Sequence, residues 1–158
     1  MKQFLRTVAT LLAVVAALAV LAGARLTAQN SNNPYHVRPS WESLEGRKIG
    51  VASGITMDPD GKHIWILDRC GANGCGESDL DPIIQADLDR KIVKSFGKGL
   101  LNFPHGFFVD REGNVWVTDG VAAGDRRGEA GFKKGIGHQV WKFSPDGKVL
   151  MRLGEAGV

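Results

Sequence analysis

Two segments of this 158-residue chain hold side chains whose types and spacing could support chemistry. In the first, His105 stands between Pro104 and Gly106, immediately before an apolar run. Proline fixes its own φ, and glycine lets another backbone or a ligand approach closely. This arrangement offers an imidazole, which can bind a metal or move a proton, at the beginning of a strand.

The second segment, residues 69–81, is a glycine-rich connection that contains Cys70 and Cys75, the only cysteines of the chain. It is too long for a plain hairpin, which favours a functional or cross-linked loop. In an exported protein, an even pair at this spacing favours a disulfide, whose Cα atoms would lie roughly 4.4–6.8 Å apart. Free thiols and a metal site are the alternatives, although a metal would need two more ligands and none is adjacent. Arg69, which begins this loop, could simply pair with a neighbouring aspartate.

The strands that must position these side chains repeat along the chain. Residues 54–68 and 106–119 each comprise an apolar run ending in aspartate, a turn containing glycine, a strand centred on tryptophan and a closing aspartate. A second hairpin follows each of them, at residues 84–97 and 139–154. A repeat of roughly 50 residues with four short strands is the signature of a β-propeller blade. The sequence therefore predicts an all-β fold with two antiparallel four-stranded blades.

Blade one is expected over about residues 50–97 and blade two over about residues 100–154, with the first strand of each innermost. Asp68 and Asp119 close equivalent strands and are expected to accept hydrogen bonds from loop N–H groups. Three tryptophans at matching strand centres are expected to pack between blades. They are Trp65, Trp116 and Trp141.

Residues 1–28 have the features of a secretory signal peptide: a basic start, an apolar run, and a cleavage site near Ala28, with one near Ala24 as the alternative. The run of about 15 apolar residues is shorter than the roughly 20 that span a bilayer, although an uncleaved anchor is the other interpretation. The sequence predicts a secreted or periplasmic protein with no stable membrane span after cleavage. Residues 29–49 are expected to form a tether and a lead-in with room for one strand.

The distribution of charge argues against nucleic-acid binding. The chain has 20 Lys and Arg against 17 Asp and Glu, but residues 1–28 hold three of the basic residues and no acidic one. The remainder is therefore formally neutral, and it shows no basic patch with interleaved aromatics. Residues 120–137 are glycine-rich and of mixed charge, and they are expected to form a surface loop on the same face as the loop of residues 69–81.

Two blades cannot close a propeller, because such folds have roughly four to eight blades around a channel. An open end would leave an unpaired, apolar blade face. The sequence therefore predicts a piece of a longer protein, or a chain that needs further blades or another chain to complete the ring.

Several segments resemble known families. The similarity to NHL repeats lies in residues 112–119 and 139–143. The resemblance to the peptidyl-α-hydroxyglycine α-amidating lyase family lies in residues 103–110, 113–119 and 138–142. The resemblance implies an NHL-type propeller of six blades, of which this chain has the first two. It also implies cleavage of peptidyl-α-hydroxyglycine to a peptide amide and glyoxylate.

The resemblance implies roles for four residues. It matches His105 to a zinc-ligand histidine and Arg69 to an active-site arginine. It matches Ile55 and Phe107 to positions near those whose backbone carbonyls bind a structural calcium ion. The family's other zinc ligands, its active-site tyrosine and its calcium-binding aspartate belong to later blades, and the loop after Arg69 differs from that of the animal enzymes. In such a site zinc is a Lewis acid, arginine holds the glyoxylate carboxylate and a base removes the hydroxyl proton.

Two other functions fit the same fold, because propellers host unrelated activities. The chain could be a non-catalytic NHL-type propeller that binds protein, peptide or glycan on its loop face, or a calcium-dependent propeller hydrolase such as a lactonase. For the amidating lyase, a small peptide is the substrate on that face. Since His105 begins an innermost strand and Arg69 ends the adjoining one, their side chains are expected to share one mouth of the channel.

Overall fold

The computed structural model of the protein describes residue 41 and residues 43–121 and 132–157. The predicted signal peptide, the tether up to residue 40 and most of the predicted surface loop, residues 122–131, lie outside the described residues. The described part is all-β and contains no helix. Accordingly, it offers no helical segment with the length and hydrophobicity needed to cross a bilayer.

Ten strands occur in the described part of the chain. In chain order they are β1 (Ser43–Leu44), β2 (Arg47–Lys48), β3 (Ala52–Met57), β4 (His63–Asp68), β5 (Ile83–Asp87), β6 (Ile92–Phe96), β7 (Pro104–Val109), β8 (Val115–Asp119), β9 (Gln139–Phe143) and β10 (Val149–Leu153). All pairings between neighbouring strands are antiparallel.

The structure confirms the two antiparallel four-stranded sheets that the repeat predicts. Their orders are β3-β4-β5-β6 for blade one and β7-β8-β9-β10 for blade two. β3 and β7 are edge strands that contact each other, so the first strands of the two blades are the inner ones, as predicted. The lead-in differs from the single strand expected: it is the hairpin β1–β2, in which Glu45 and Gly46 turn the chain with positive φ.

The core between the two blades follows from the alternation of side chains along a strand. In β4, Trp65 and Leu67 pack against blade two, whereas Ile64 and Ile66 lie on the opposite face. The inter-blade core consists of the buried residues Trp65, Leu67, Ile83, Leu101, Val115, Val117, Trp141 and Phe143. Apolar residues from both sheets therefore hold the two blades together.

The lead-in hairpin covers the other face of blade one. Leu44 of β1 is fully buried in a second cluster with Ile64 and Ile66, and Trp41 and Ile49 pack against this cluster. Because both faces of β4 are buried, its sequence is a continuous apolar run and not an alternating one.

The blades stack front to back, and this decides where the tryptophans lie. Trp65 and Trp141 are in the inter-blade core, as predicted. Trp116 lies on the face of β8 opposite the two core valines, where Lys142 Nζ is 4.7 Å from its ring centroid. Trp116 is the counterpart of Trp65 in the next blade, so it faces away from blade one. That Trp116 packs between blades therefore stays a prediction, which concerns the face of blade two away from blade one.

Close contact between the inner strands requires glycine at position 54. A Cβ atom on Gly54 would lie 2.6 Å from Cβ of Phe107 and 2.9 Å from its Cδ1. Protein interiors are close-packed, and the Phe107 Cβ is fixed to the backbone, so it cannot move aside. The residue type at position 54 therefore sets the separation of β3 and β7.

We expect Gly54→Ala to destabilise the chain by about 1–3 kcal/mol, because the added methyl group must push the two strands apart. Urea denaturation measures the change in the free energy of unfolding. Gly120→Ala is the matched control, since the nearest atom to its added Cβ is 3.8 Å away, an ordinary contact distance. Equal stability of the two variants would contradict the role assigned to Gly54.

A hydrogen bond between a carboxylate and an indole repeats in the two blades. Trp65 Nε1 donates to Asp58 Oδ2 at 2.6 Å. In blade two, Trp116 Nε1 donates to Asp110 Oδ2 at 3.2 Å. Burial raises the pKa of Asp110, but hydrogen bonds from Asn114 and Trp116 outweigh that effect and lower the pKa to about 2. Each pair ties the first hairpin turn of a blade to its second strand.

The lowered pKa of Asp110 predicts a loss of stability in acid. Its ordinary pKa is 3.8, so the stabilisation is complete above that pH and is lost as the pH falls towards about 2. Asp110→Asn should flatten the decrease in unfolding free energy between about pH 4 and pH 2. Asp146→Asn, which changes an 89% exposed carboxylate in the other turn of blade two, is the control. A wild-type acid profile in Asp110→Asn would refute the prediction.

Candidate functional site

A β-bulge directs His105 away from its strand. Pro104 pairs with Asp119 and Phe107 with the residue two positions earlier in β8, so His105 and Gly106 together oppose Thr118. The Gly106 N–H donates to Thr118 Oγ1 at 2.7 Å, and a Cβ at position 106 would lie 2.7 Å from the same oxygen. Bulges re-aim side chains and are frequent beside active sites. His105 is consequently exposed, and its imidazole has no hydrogen bond among the described residues.

Arg69 follows β4 directly and is almost completely buried, at 9% exposure. Its Nε donates to the carbonyl oxygen of Pro104 at 3.2 Å, and its Nη1 donates to Asn73 Oδ1 at 2.8 Å. Its guanidinium carbon lies 3.7 Å from the ring centroid of Phe103, a cation–π contact. Arg69 therefore joins blade one to the first residues of blade two.

Phe103 brings the predicted site residues together. Its ring centroid is 6.0 Å from that of His105, with 30° between the planes, and its face carries the Arg69 guanidinium. Phe132, from the blade-two loop, packs edge-on against Phe103 with centroids 6.1 Å apart. Arg69 and His105 thus contact the same ring on one side of the two blades, as their positions in the repeat predicted, and we call this side the mouth.

Two buried aspartates hold the loops of this mouth, as the repeat predicted. Asp119 accepts hydrogen bonds from the N–H groups of Asn102, at 2.8 Å, and Phe103, at 2.6 Å. Burial raises the pKa of Asp119 in spite of these bonds. Asp68 accepts hydrogen bonds from the N–H groups of Gly50, at 2.7 Å, and Gly71, at 3.0 Å.

Asn102, which the sequence did not single out, joins the two loops. It is fully buried. Its backbone carbonyl accepts from the Cys75 N–H at 2.7 Å, and its side-chain oxygen accepts from the Lys133 N–H at 2.7 Å. Its amide nitrogen donates to the carbonyls of Lys133, at 2.8 Å, and Ile136, at 3.0 Å. No local motif signals such a residue, because its partners lie far away along the chain.

Cys70 and Cys75 form a disulfide, with Cα atoms 5.2 Å apart, as predicted. The bond excludes the free-thiol and metal interpretations of this pair. Both cysteines are buried, and the loop they close is anchored to Asn102 through the Cys75 N–H. The disulfide therefore shapes the loop that begins with Arg69.

The chain is similar over this region to peptide-amidating proteins. It is 36% identical over 87 residues to peptidyl-glycine alpha-amidating monooxygenase A of Xenopus laevis, which covers 46% of the chain and 9% of that protein. It is 29% identical over 144 residues to peptidyl-alpha-hydroxyglycine alpha-amidating lyase 1 of Drosophila melanogaster, and this match covers 79% of the chain and 24% of that protein. It is 28% identical over 125 residues to probable peptidyl-alpha-hydroxyglycine alpha-amidating lyase pgal-1 of Caenorhabditis elegans, and this match covers 69% of the chain and 31% of that protein.

The chain resembles the peptidyl-α-hydroxyglycine α-amidating lyase family. It spans less than a third of the length of these curated relatives, between 9% and 31%. No family model matches the chain, so the assignment of NHL repeats stays a prediction.

Ile55 and Phe107, matched to positions near those that bind calcium in the family, lie on the two contacting inner strands. Ile55 pairs with Ile66 in β3–β4, and Phe107 pairs with Val117 in β7–β8. The strands approach most closely where Gly54 meets the Phe107 side chain. Backbone from both blades therefore lies close together in this region.

The donor set for zinc is incomplete in the part of the chain that the structure describes. No group of three or more His, Cys, Asp or Glu side chains that could hold a metal ion occurs among those residues. The exposed imidazole of His105 is a suitable zinc donor, but one imidazole is too few for tight binding. Among the described residues, His105 therefore fits one ligand position of a zinc site.

We expect Asn102→Ala to release the blade-two loop, because it leaves the Lys133 N–H and two carbonyls without partners. Stability should fall by about 1–3 kcal/mol, and the Lys133 amide should exchange faster with solvent. Asn114→Ala, which removes a turn hydrogen bond to Asp110 in the same blade, is the matched control and should leave Lys133 unchanged. Wild-type protection of Lys133 in Asn102→Ala would refute the prediction.

Proposed function

We propose that the chain is part of an exported, amidating-lyase-like protein that cleaves peptidyl-α-hydroxyglycine to a peptide amide and glyoxylate. The observation that carries this proposal is the meeting of Arg69 and His105 around the ring of Phe103. Similarity to two proteins named as amidating lyases supports the reaction class. The Cys70–Cys75 disulfide supports export, since disulfides persist in oxidising compartments.

His105 is the proposed zinc ligand of this chain. Its imidazole is exposed at the mouth, and the bulge holds it outside the strand ladder. A zinc site needs at least three protein ligands, so the others would come from further blades, which would also complete the propeller. When bound, zinc would supply Lewis-acid chemistry and lower the pKa of the substrate hydroxyl.

Arg69 is the proposed partner of the substrate carboxylate. A guanidinium group matches a carboxylate through a two-point hydrogen bond, and the carboxylate of hydroxyglycine becomes that of glyoxylate. As the C–N bond breaks, a base takes the hydroxyl proton, the C–O bond becomes a carbonyl, and the departing nitrogen gains a proton to form the peptide amide. Stacking on Phe103 places the guanidinium in apolar surroundings, where attraction to a carboxylate is stronger than in water.

Calcium is the second proposed ion, with a structural role. Ile55 and Phe107 would supply backbone carbonyl oxygens, which calcium prefers as ligands. Their positions on the contacting strands β3 and β7 support an ion that links the first two blades near the channel.

A non-catalytic propeller that binds peptide or protein on its loop face is the second candidate. Two observations favour it: the described residues hold one exposed imidazole at the mouth, and Arg69 already donates through Nε and Nη1. The two loops joined at Asn102 would then be the binding surface.

The decisive experiment compares His105→Ala with His63→Ala in the complete protein that carries these residues. His105→Ala should lose zinc and turnover of a peptidyl-α-hydroxyglycine substrate together, while the circular dichroism spectrum is unchanged, because it removes a ligand and no core contact. His63→Ala, which removes an imidazole bonded to Asp60 in a remote turn, should keep both. Zinc content is measured by elemental analysis, and turnover by release of glyoxylate.

Arg69→Lys separates the two candidates further. A lysine keeps the positive charge but loses the two-point geometry, so the lyase proposal predicts a large rise in KM for the substrate. His105→Ala protein with wild-type zinc content and turnover would reject the zinc-ligand role of His105. A complete wild-type protein that releases no glyoxylate would reject the lyase and leave the binding propeller as the better account.

A further inference from the structure

The two peptide units that flank His105 are each held by a hydroxyl group, and the hydroxyls come from different blades. The unit before His105 is held through its oxygen, the Pro104 carbonyl, which accepts from Ser53 Oγ at 2.9 Å. The unit after His105 is held through its nitrogen, the Gly106 N–H, which donates to Thr118 Oγ1 at 2.7 Å.

Ser53 reaches the Pro104 carbonyl because the inner strand of blade one also has a bulge at this end. Ala52 pairs with Asp68 and Gly54 with the preceding residue of β4, so Ser53 is the extra residue. A bulge leaves groups outside the strand ladder, and these need other partners. The two bulges face each other, and the Ser53 hydroxyl joins them.

The Pro104 carbonyl has two lone pairs, and both are used by blade one. Arg69 Nε donates to the same oxygen at 3.2 Å. Arg69 has a proposed second task at the substrate carboxylate, whereas the Ser53 hydroxyl makes no other hydrogen bond among the described residues. Of the two donors, Ser53 is thus the one whose hydroxyl bonds, among the described residues, to the Pro104 carbonyl alone.

We infer that Ser53 is a positioning residue for His105. A peptide unit is planar, so fixing the Pro104 oxygen fixes the plane that ends at the His105 Cα, and the direction of the Cα–Cβ bond is set once the following unit is held too. With the following unit held by Thr118, the imidazole is confined to the side of the bulge that faces Phe103. The positioning of His105 by Ser53 does not depend on the proposed function. Only its expected consequence does, namely that a fixed imidazole binds zinc more tightly.

The first test observes His105 directly and needs no metal. In the chain with isotope-labelled histidine, NMR couplings should show one χ1 rotamer for His105 and a nuclear Overhauser effect between its ring and that of Phe103. Ser53→Ala should give rotamer averaging and weaken that effect, and Ser53→Thr, which keeps a hydroxyl, should restore both. Ser95→Ala, which removes a strand hydroxyl bonded to Asp81, is the matched control and should change neither.

The second test measures zinc affinity in the complete protein. Ser53→Ala should weaken zinc binding by about tenfold, in the range found when residues that orient a ligand are removed, and Ser53→Thr should recover it. Urea denaturation checks that the variants remain folded.

Rotamer averaging of His105 in the wild type would overturn the inference even if Ser53→Ala did not fold. Unchanged couplings and unchanged zinc affinity in Ser53→Ala would overturn it as well. These outcomes are distinct from failure of the proposed function. If His105→Ala keeps zinc and turnover but Ser53→Ala mobilises the His105 ring, Ser53 positions His105 and the proposed zinc-ligand role of His105 fails. If His105→Ala loses both and Ser53→Ala changes nothing, the lyase proposal stands without a role for Ser53.

Discussion

A single buried amide holds the candidate site together. Asn102 has no exposure to solvent, so each of its polar groups must find a partner within the protein. Its backbone binds Asp119 and the Cys75 loop, and its side chain binds the blade-two loop at Lys133 and Ile136. Because these partners converge on one residue, the two loops are fixed relative to Phe103 and to the strand β7, which carries the imidazole. The site is therefore a property of two blades and not of one loop.

The site lies where regular β-structure is interrupted. Each inner strand has one extra residue at the same end, and the groups released from the ladder bond across the two blades. In blade two the bulge frees the imidazole of His105, and the carbonyl before it accepts from Ser53 and Arg69. Stacking on Phe103 and the bond to Pro104 keep the guanidinium buried and oriented. The regular strands hold the backbone rigid, and the bulges set the direction in which the side chains of the site leave it.

Features that are local in sequence could be predicted, and features that join distant residues could not. The repeat identifies the strands, and it also identifies Asp68 and Asp119 as acceptors for loop N–H groups, because both close the equivalent strand of a repeated motif. The disulfide follows from the spacing of two cysteines. Asn102 and Ser53 carry no motif, and their partners are about 30 to 50 residues away. Their roles appear only once the blades are stacked.

Front-to-back stacking links completion of the site to burial of apolar surface. Blade one packs its Trp65 face against blade two, whereas the equivalent face of blade two has Trp116, with Phe108 63% and Leu153 50% exposed. An apolar face of this kind is stabilised when another layer covers it. Under the proposed function, the blades that bring further imidazoles to His105 are also those that extend the stack over this face. Metal affinity and blade stacking then depend on the same packing, because a site assembled from different blades has its full donor set only when the ring is complete.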